Sequence, residues 1–417
     1  MSETVPTSST STAYDVARVR SHFPQLRDGE GLGAAHFDGP GGSQTPDVVA
    51  RAVYDTLTGP LANDDTVTTA ERNATRALGA GRAAMADLLN ADPRGVLFGR
   101  SMTQLTMDMA RTLSREWGPG DEVVVTSLDH DSNVRSWTIA AERAGATVRR
   151  ADFDAGTGQL DPGQVEAVLS DRTRVVAVTA ASNLIGTRPD VRAIAELAHS
   201  AGALLYVDGV HYTAHALVDV PALGADLFAC SPYKFLGPHC GVLAARPEVL
   251  EPLRPDKLVA ASDEVPGRFE LGTPAYELMA GVAAAVDFLA DLVPGRGGSR
   301  RERLVASLVA LEEHEDRLRE RLEEALAHLP GVTLHGRAAS RTPTVLATFA
   351  GHDPQDVRRH LASCNVNAPA GSFYAPEASR QLGLGDEGGL RMGMAPYTDD
   401  RDVDRLLDGL AEYLSHA

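Results

Sequence analysis

Three short stretches carry side chains that could do chemistry together. Asp226-Leu-Phe-Ala-Cys-Ser231-Pro-Tyr233-Lys234-Phe-Leu-Gly237-Pro238 sets a single lysine after an apolar run and before Gly-Pro. Desolvation there would lower the basicity of its amine and make it a Schiff-base nucleophile, whereas a snorkelling surface lysine is the plain alternative. Val207-Asp208-Gly209-Val210-His211 ends another apolar run on a carboxylate, which is costly to bury unless a cation or metal meets it. Arg100-Ser101-Met102-Thr103 opens a helical pattern, where free N–H groups and the macrodipole suit a phosphate. The same serine also reads as an ordinary N-cap. No G-x-G-x-x-G or Walker sequence occurs at that turn, which leaves dinucleotide and nucleoside-triphosphate binding unsupported.

The elements around these stretches alternate in type. Short runs at 95–99, 122–126, 147–151, 175–179 and 203–207, and at 344–349 further on, predict strands. Amphipathic runs at 102–117, 133–144 and 191–201 predict helices, each closed by a glycine. This alternation predicts an α/β domain with a mostly parallel sheet, whose ligands bind beyond the carboxyl ends of the strands. Pro294-Gly-Arg-Gly-Gly-Ser299 reads as a hinge, followed by a long helix marked by Leu304, Leu308, Leu311, Leu318, Leu322 and Leu329. Glu315 interrupts that seam. The division predicted is a disordered tail at 1–12, a segment at 13–30 packing with the small domain, a large domain at 31–296 and a small α+β domain at 297–417.

Of 417 residues, 39 are Lys or Arg and 57 are Asp or Glu, for a formal net charge of −18. So acidic a chain is a poor nonspecific binder of nucleic acid or anionic membrane. Cys230, Cys240 and Cys364 are too few for a disulfide framework and suit a reducing compartment. Neither a signal peptide nor a membrane span is visible, and the expectation is a soluble, cytoplasmic chain. Asp208, His211 and His215 have spacings a metal site could use if the segment were helical, and a metal-dependent hydrolase is one competing reading.

Pyridoxal phosphate needs a lysine for its aldehyde, a carboxylate for its pyridine nitrogen and anion donors for its phosphate. All three are available here at successive strand ends. The segments 207–211 and 231–238 resemble the class V aminotransferase group of fold-type I pyridoxal-phosphate enzymes, and within it cysteine desulfurases and desulfurase-like lyases. The resemblance extends to His36-Phe-Asp-Gly-Pro-Gly-Gly-Ser-Gln-Thr-Pro46, Leu128-Asp-His130-Asp-Ser-Asn133, Ser182-Asn183-Leu-Ile-Gly186-Thr187, Phe269-Glu-Leu-Gly-Thr273-Pro274 and Leu390-Arg391. It implies a large domain with a mostly parallel, seven-stranded-type sheet and a smaller α+β C-terminal domain.

It also implies roles. Lys234 would bind the aldehyde of pyridoxal 5′-phosphate and move the substrate Cα proton, and Asp208 would keep the ring nitrogen protonated. His130 would stack on the ring, and Asn183 and His211 would contact its phenolic oxygen. Ser101, Met102, Ser231 and Tyr233 would hold the phosphate. Thr273 would reach the phosphate of the other subunit, which makes the enzyme a homodimer with shared sites. Arg391 would bind the amino-acid carboxylate, with Gly42 and Asn183 beside the substrate.

One departure decides the expected reaction. Desulfurases carry a nucleophilic cysteine in a mobile loop, and the matching stretch here is Ala370-Gly-Ser-Phe-Tyr374-Ala375. Tyr374 stands where the thiol would be, as a candidate catalytic group. Pro369 replaces an arginine often found before that loop. The three cysteines read as small buried hydrophobes. The resemblance therefore implies a lyase that cleaves a carbon–sulfur bond of cysteine or a cysteine S-conjugate by β-elimination, in the manner of secondary-metabolic lyases. An aminotransferase, an epimerase, a decarboxylating enzyme and a silent cofactor-binding protein are the other outcomes considered.

Overall fold

The computed structural model describes residues 14–27 and 33–416, so the tail expected at 1–12 lies outside the described residues. Seven strands build the main sheet: β1 (Val96–Gly99), β2 (Glu122–Thr126), β3 (Thr147–Ala151), β4 (Thr173–Thr179), β5 (Leu204–Asp208), β6 (Leu227–Cys230) and β7 (Gly241–Ala245). Their order is β1-β7-β6-β5-β4-β2-β3. β7 runs antiparallel to both neighbours and every other pairing is parallel, so six strands point the same way.

The strands inside the sheet are largely apolar because both faces are covered, whereas the edge strand β3 carries the exposed Arg149 and Arg150. Val124, Val176, Leu205, Val207 and Phe228 face one core, while Val123, Val125, Tyr206, Leu227 and Leu243 face the other. Successive side chains of a strand point to opposite faces, so each inner strand feeds both cores. Helices Tyr276–Ala290 and Thr69–Leu89 pack together on the first face. The second of them starts on a capping box in which Thr68 and Glu71 satisfy each other's backbone N–H groups.

A second sheet, wholly antiparallel, contains β8 (Val332–His335), β9 (Thr344–Phe349), β10 (Ala370–Gly371) and β11 (Gly389–Gly393) in the order β10-β11-β9-β8. Helices Pro354–Ser363 and Asp400–His416 cover it. The leucine ladder forms one helix, Arg300–Ala327, capped by Ser299 and Glu302. Leu304, Leu308 and Leu311 belong to the core of the large domain, whereas Leu318, Leu322 and Leu326 belong to that of the small one. The helix thus passes from one hydrophobic cluster to another between Leu311 and Leu318. Glu315 lies at the changeover, buried and 2.9 Å from His215 Nδ1.

The N-terminal segment touches both units. Arg18 donates to the carbonyls of Asp291 and Leu292 at 2.7 Å, while Tyr14 donates to Pro396 O at 2.6 Å. No helix among the described residues is long and apolar enough to cross a membrane.

Candidate active site

Residues at the carboxyl ends of β1, β2, β4, β5 and β6 converge on one cavity. Ser101, His130, Asn183, Asp208, Tyr233 and Lys234 are among its lining. Ser101 caps helix Met102–Leu113, its Oγ accepting from Gln104 N at 3.1 Å, so it is both the N-cap and part of the cavity wall. The turn can lie this close to the sheet because Gly241 has no side chain. A Cβ there would come within 2.2 Å of the Ser101 carbonyl carbon.

Lys234 follows β6 in a short 3-10 turn and its Nζ donates to Pro40 O. Burial, helped by the Arg391 charge, lowers its pKa to about 7, with Asp208 opposing. Asp208 ends β5, and burial pushes its carboxyl up to about 6, against the Val210 N–H bond and Lys234. His130 caps helix Asp131–Ala144. Burial, then Lys234 and Arg391, lowers its pKa to about 4, which leaves the ring neutral. Its Nδ1 accepts from Ser132 N at 3.1 Å, and the proton therefore resides on Nε2.

The small domain and the 38–43 segment close this cavity from outside. Pro40, Gly41, His130, Asn183, Tyr374 and Arg391 line its mouth. Gly39 packs against β11's continuation so tightly that a Cβ would lie 2.7 Å from Met394 O. Gly42 borders Tyr233, and Ser43 N donates to Tyr233 O at 3.0 Å. Arg391, on β11, is buried and its pKa falls to about 9, still charged at neutrality. Its guanidinium lies 3.7 Å from the Phe373 ring centroid and donates to Asn183 O at 2.8 Å. The loop at 372–374 is held by the site itself. Asn183 Nδ2 donates to Phe373 O at 2.8 Å and Asp131 N to Tyr374 O at 2.7 Å. Phe373 and Tyr374 both have left-handed backbones, φ 54° and 56°, a strain of about 1–3 kcal/mol each for such residues. Tyr374 is 77% exposed, its ring centroid 5.6 Å from that of His130.

Other expected residues lie differently. Thr273 lines a separate cavity with Gly99, Gln104 and His239. His211 lines the main cavity, with Nε2 2.9 Å from the hydroxyls of both Thr342 and Thr344. His215 is taken by Glu315. Among the described residues, Asp208, His211 and His215 form no group whose ligand atoms all lie within 4.8 Å of one another. Cys230 and Cys240 are buried, and burial raises both thiols, Cys240 to about 12. Cys364 is only half-buried, contrary to the expectation for all three cysteines. No cysteine lines the cavity or its mouth.

Sequence reasoning missed Phe373, Thr342 and Thr344. The two threonines precede or open β9, more than 130 positions from the histidine they meet. No local pattern signals such a pairing.

The cavity suits pyridoxal phosphate. It offers a lysine of depressed basicity, a buried carboxylate and a helix N-terminus, and both Asn183 Oδ1 and His211 Nδ1 are buried polar atoms without a protein partner. A mostly parallel seven-stranded sheet with this lysine after β6, joined to a small antiparallel domain, is the fold-type I architecture of pyridoxal-phosphate enzymes. The family model for class V aminotransferases matches residues 35–406, and the chain belongs to that family. Pyridoxal 5′-phosphate is the family's cofactor. The chain is 36% identical to an uncharacterized protein of Mycobacterium tuberculosis, over 96% of this chain and 99% of that one. It is 32% identical to a probable cysteine desulfurase of Pseudomonas aeruginosa, over 93% and 95%. A cysteine desulfurase of Escherichia coli has a solved structure that superposes with a TM-score of 0.85 at 27% identity, covering 97% and 99%.

The depressed basicity of Lys234 gives a first expected result. Above pH 7 its amine is neutral and nucleophilic, and below it an ammonium that cannot attack. Capture of pyridoxal phosphate by the cofactor-stripped chain, trapped with borohydride, should rise with pH and reach half its maximal rate near pH 7. A midpoint near the ordinary lysine value of 10.5 would contradict this placement.

Proposed function

We propose that this protein is a carbon–sulfur lyase that cleaves cysteine or a cysteine S-conjugate by β-elimination, without a protein thiol. The observation that carries this reading is the absence of any cysteine from the cavity and its mouth, where Tyr374 occupies the loop. Bound pyridoxal phosphate supplies an electron sink for the charge developing at the substrate Cα. Lys234 would carry the proton from the substrate Cα, and Asp208 would hold the ring nitrogen. His130, Asn183 and His211 would hold the cofactor ring, and the helix start at Ser101–Met102 with Ser231 and Tyr233 would hold its phosphate. Arg391 takes the substrate carboxylate, beside Gly42 and Asn183. The sulfur would leave with one proton, as a thiol from an S-conjugate or as hydrogen sulfide from cysteine, and one water would convert the remaining three-carbon unit to pyruvate and ammonia.

The enzyme works as a homodimer in this reading, with Thr273 reaching the partner's phosphate. Support comes from the same surface segment, where Leu258 and Leu271 are 71% and 57% exposed and Val259 fully so. A product profile tests the reaction: thiol, pyruvate and ammonia should appear in equal amounts from cysteine S-conjugates. Alanine, a racemised amino acid or a keto acid from transamination would each replace the proposal. Tyr374 orients the substrate through its hydroxyl. Tyr374→Phe should lower kcat/KM by up to about tenfold, the worth of one hydrogen bond of about 0.5–1.5 kcal/mol. An unchanged kcat/KM would make the tyrosine a packing residue.

A further inference from the structure

The catalytic reading uses none of the three cysteines, and Cys364 is the one of them that is not fully buried. It closes helix Pro354–Ser363, with His360 one turn earlier. The Cys364 Sγ to His360 Nε2 distance is 3.7 Å. The last helix, Asp400–His416, passes directly over the pair, since a Cβ on Gly409 would lie 3.7 Å from Cys364 Sγ. From that helix Glu412 brings a carboxylate, and one ligand atom from each of the three residues lies within 4.8 Å of the others. Asp408 and Asp404 line the same open groove.

These distances match one kind of ligand. A tetrahedral zinc ion with Zn–S of about 2.3 Å and Zn–N of about 2.0–2.1 Å holds its sulfur and nitrogen about 3.6 Å apart. His360 and Cys364 already stand at that separation. Glu412 is exposed, and its flexible side chain on the surface helix can bring a carboxylate oxygen to the third position from within 4.8 Å. The groove's cations are engaged elsewhere. Arg405 donates to Gly33 O at 2.7 Å and Arg401 to Asp399 Oδ2 at 3.2 Å. Among the described residues no lysine or arginine pairs with Glu412. Thiolate, imidazole and carboxylate together select a borderline-soft divalent ion over calcium or magnesium.

We propose that His360, Cys364 and Glu412 form a zinc-binding site on the small domain, apart from the active site. Binding exchanges the thiol proton for the metal, leaving a thiolate ligand and releasing one proton to solvent. Water or a groove carboxylate completes the coordination. The ion would tie the end of helix Pro354–Ser363 to helix Asp400–His416, the two helices that cover the sheet carrying Arg391.

The test uses the full-length holoenzyme without an affinity tag, equilibrated with micromolar Zn2+ and freed of loose metal. Wild type should retain one Zn2+ per chain by elemental analysis, and Cys364→Ser and His360→Gln should each bind at least tenfold more weakly. Mass spectrometry supplies a readout that needs no variant. Zn2+ should slow alkylation of Cys364 by iodoacetamide at least tenfold, and chelation should restore it. Equal zinc retention in wild type and Cys364→Ser, including none in either, would overturn the site, as would alkylation that zinc does not slow.

Discussion

Lys234→Ala should leave a folded chain that binds no pyridoxal phosphate covalently and turns over no amino acid. The side chain lies against the backbone of Pro40 and lines the cavity, so its removal opens space, and the only buried charge that loses its influence is Asp208, whose carboxyl is already pushed up to about 6 and can take a proton. Asp208 has its Val210 N–H bond in either case. The fold therefore has little reason to collapse, whereas both the aldehyde-binding amine and the proton carrier are lost together. General acid–base catalysis alone is worth about 10²–10⁴-fold. The visible absorbance of the wild type should vanish on borohydride treatment, and the variant should show no cofactor mass on its peptides. A reducible linkage in Lys234→Ala would move the cofactor to another amine.

Arg391→Ala is expected to be the next most damaging change. The guanidinium is clamped by Asn183 O and by the Phe373 ring, and its Nε is buried without a protein partner. That free side is where a substrate carboxylate can be met by charge-assisted bonds worth about 1.5–3 kcal/mol, or roughly 10- to 150-fold in kcat/KM. The loss should fall mainly on KM. Arg391→Lys should recover little of it, because an ammonium neither stacks on Phe373 nor offers a planar fork. Unchanged KM and kcat in Arg391→Ala would remove this residue from substrate recognition.

Much of the fold was legible in the chain. The strands at 122–126, 147–151 and 344–349 coincide with β2, β3 and β9, the first and last because apolar runs bounded by turn residues leave little choice. Helix Thr69–Leu89 was not read, since its alanines, glycines and arginines show only a faint apolar face. The leucine ladder showed one helix but not the point at which it passes from one core to the other. Glu315 looked like a flaw in that ladder, and it is the buried partner of His215. Lysine, carboxylate and helix start were readable as a cofactor set because each follows a strand. Phe373 under Arg391 was not, since nothing in the local sequence points a loop carbonyl at Asn183 or a ring at a distant guanidinium. Cys364 was misplaced for a related reason: a lone cysteine near a helix end says nothing of the second helix that passes it.

The chemistry turns on where sulfur goes, and a cysteine-free chain addresses that directly. In Cys230→Ser, Cys240→Ser and Cys364→Ser combined, the cavity wall and mouth are unchanged, because none of the three residues lines them. Folding and cofactor content are checked first, as two of these sites are buried. The decisive measurement is the rate of thiol and pyruvate release by that variant, with wild-type protein analysed by mass spectrometry for persulfide during turnover. The account predicts turnover close to wild type and no persulfide on any cysteine. Loss of turnover in a folded, cofactor-loaded triple variant, with persulfide on one wild-type cysteine, would contradict it and make the protein a desulfurase with a relocated nucleophile.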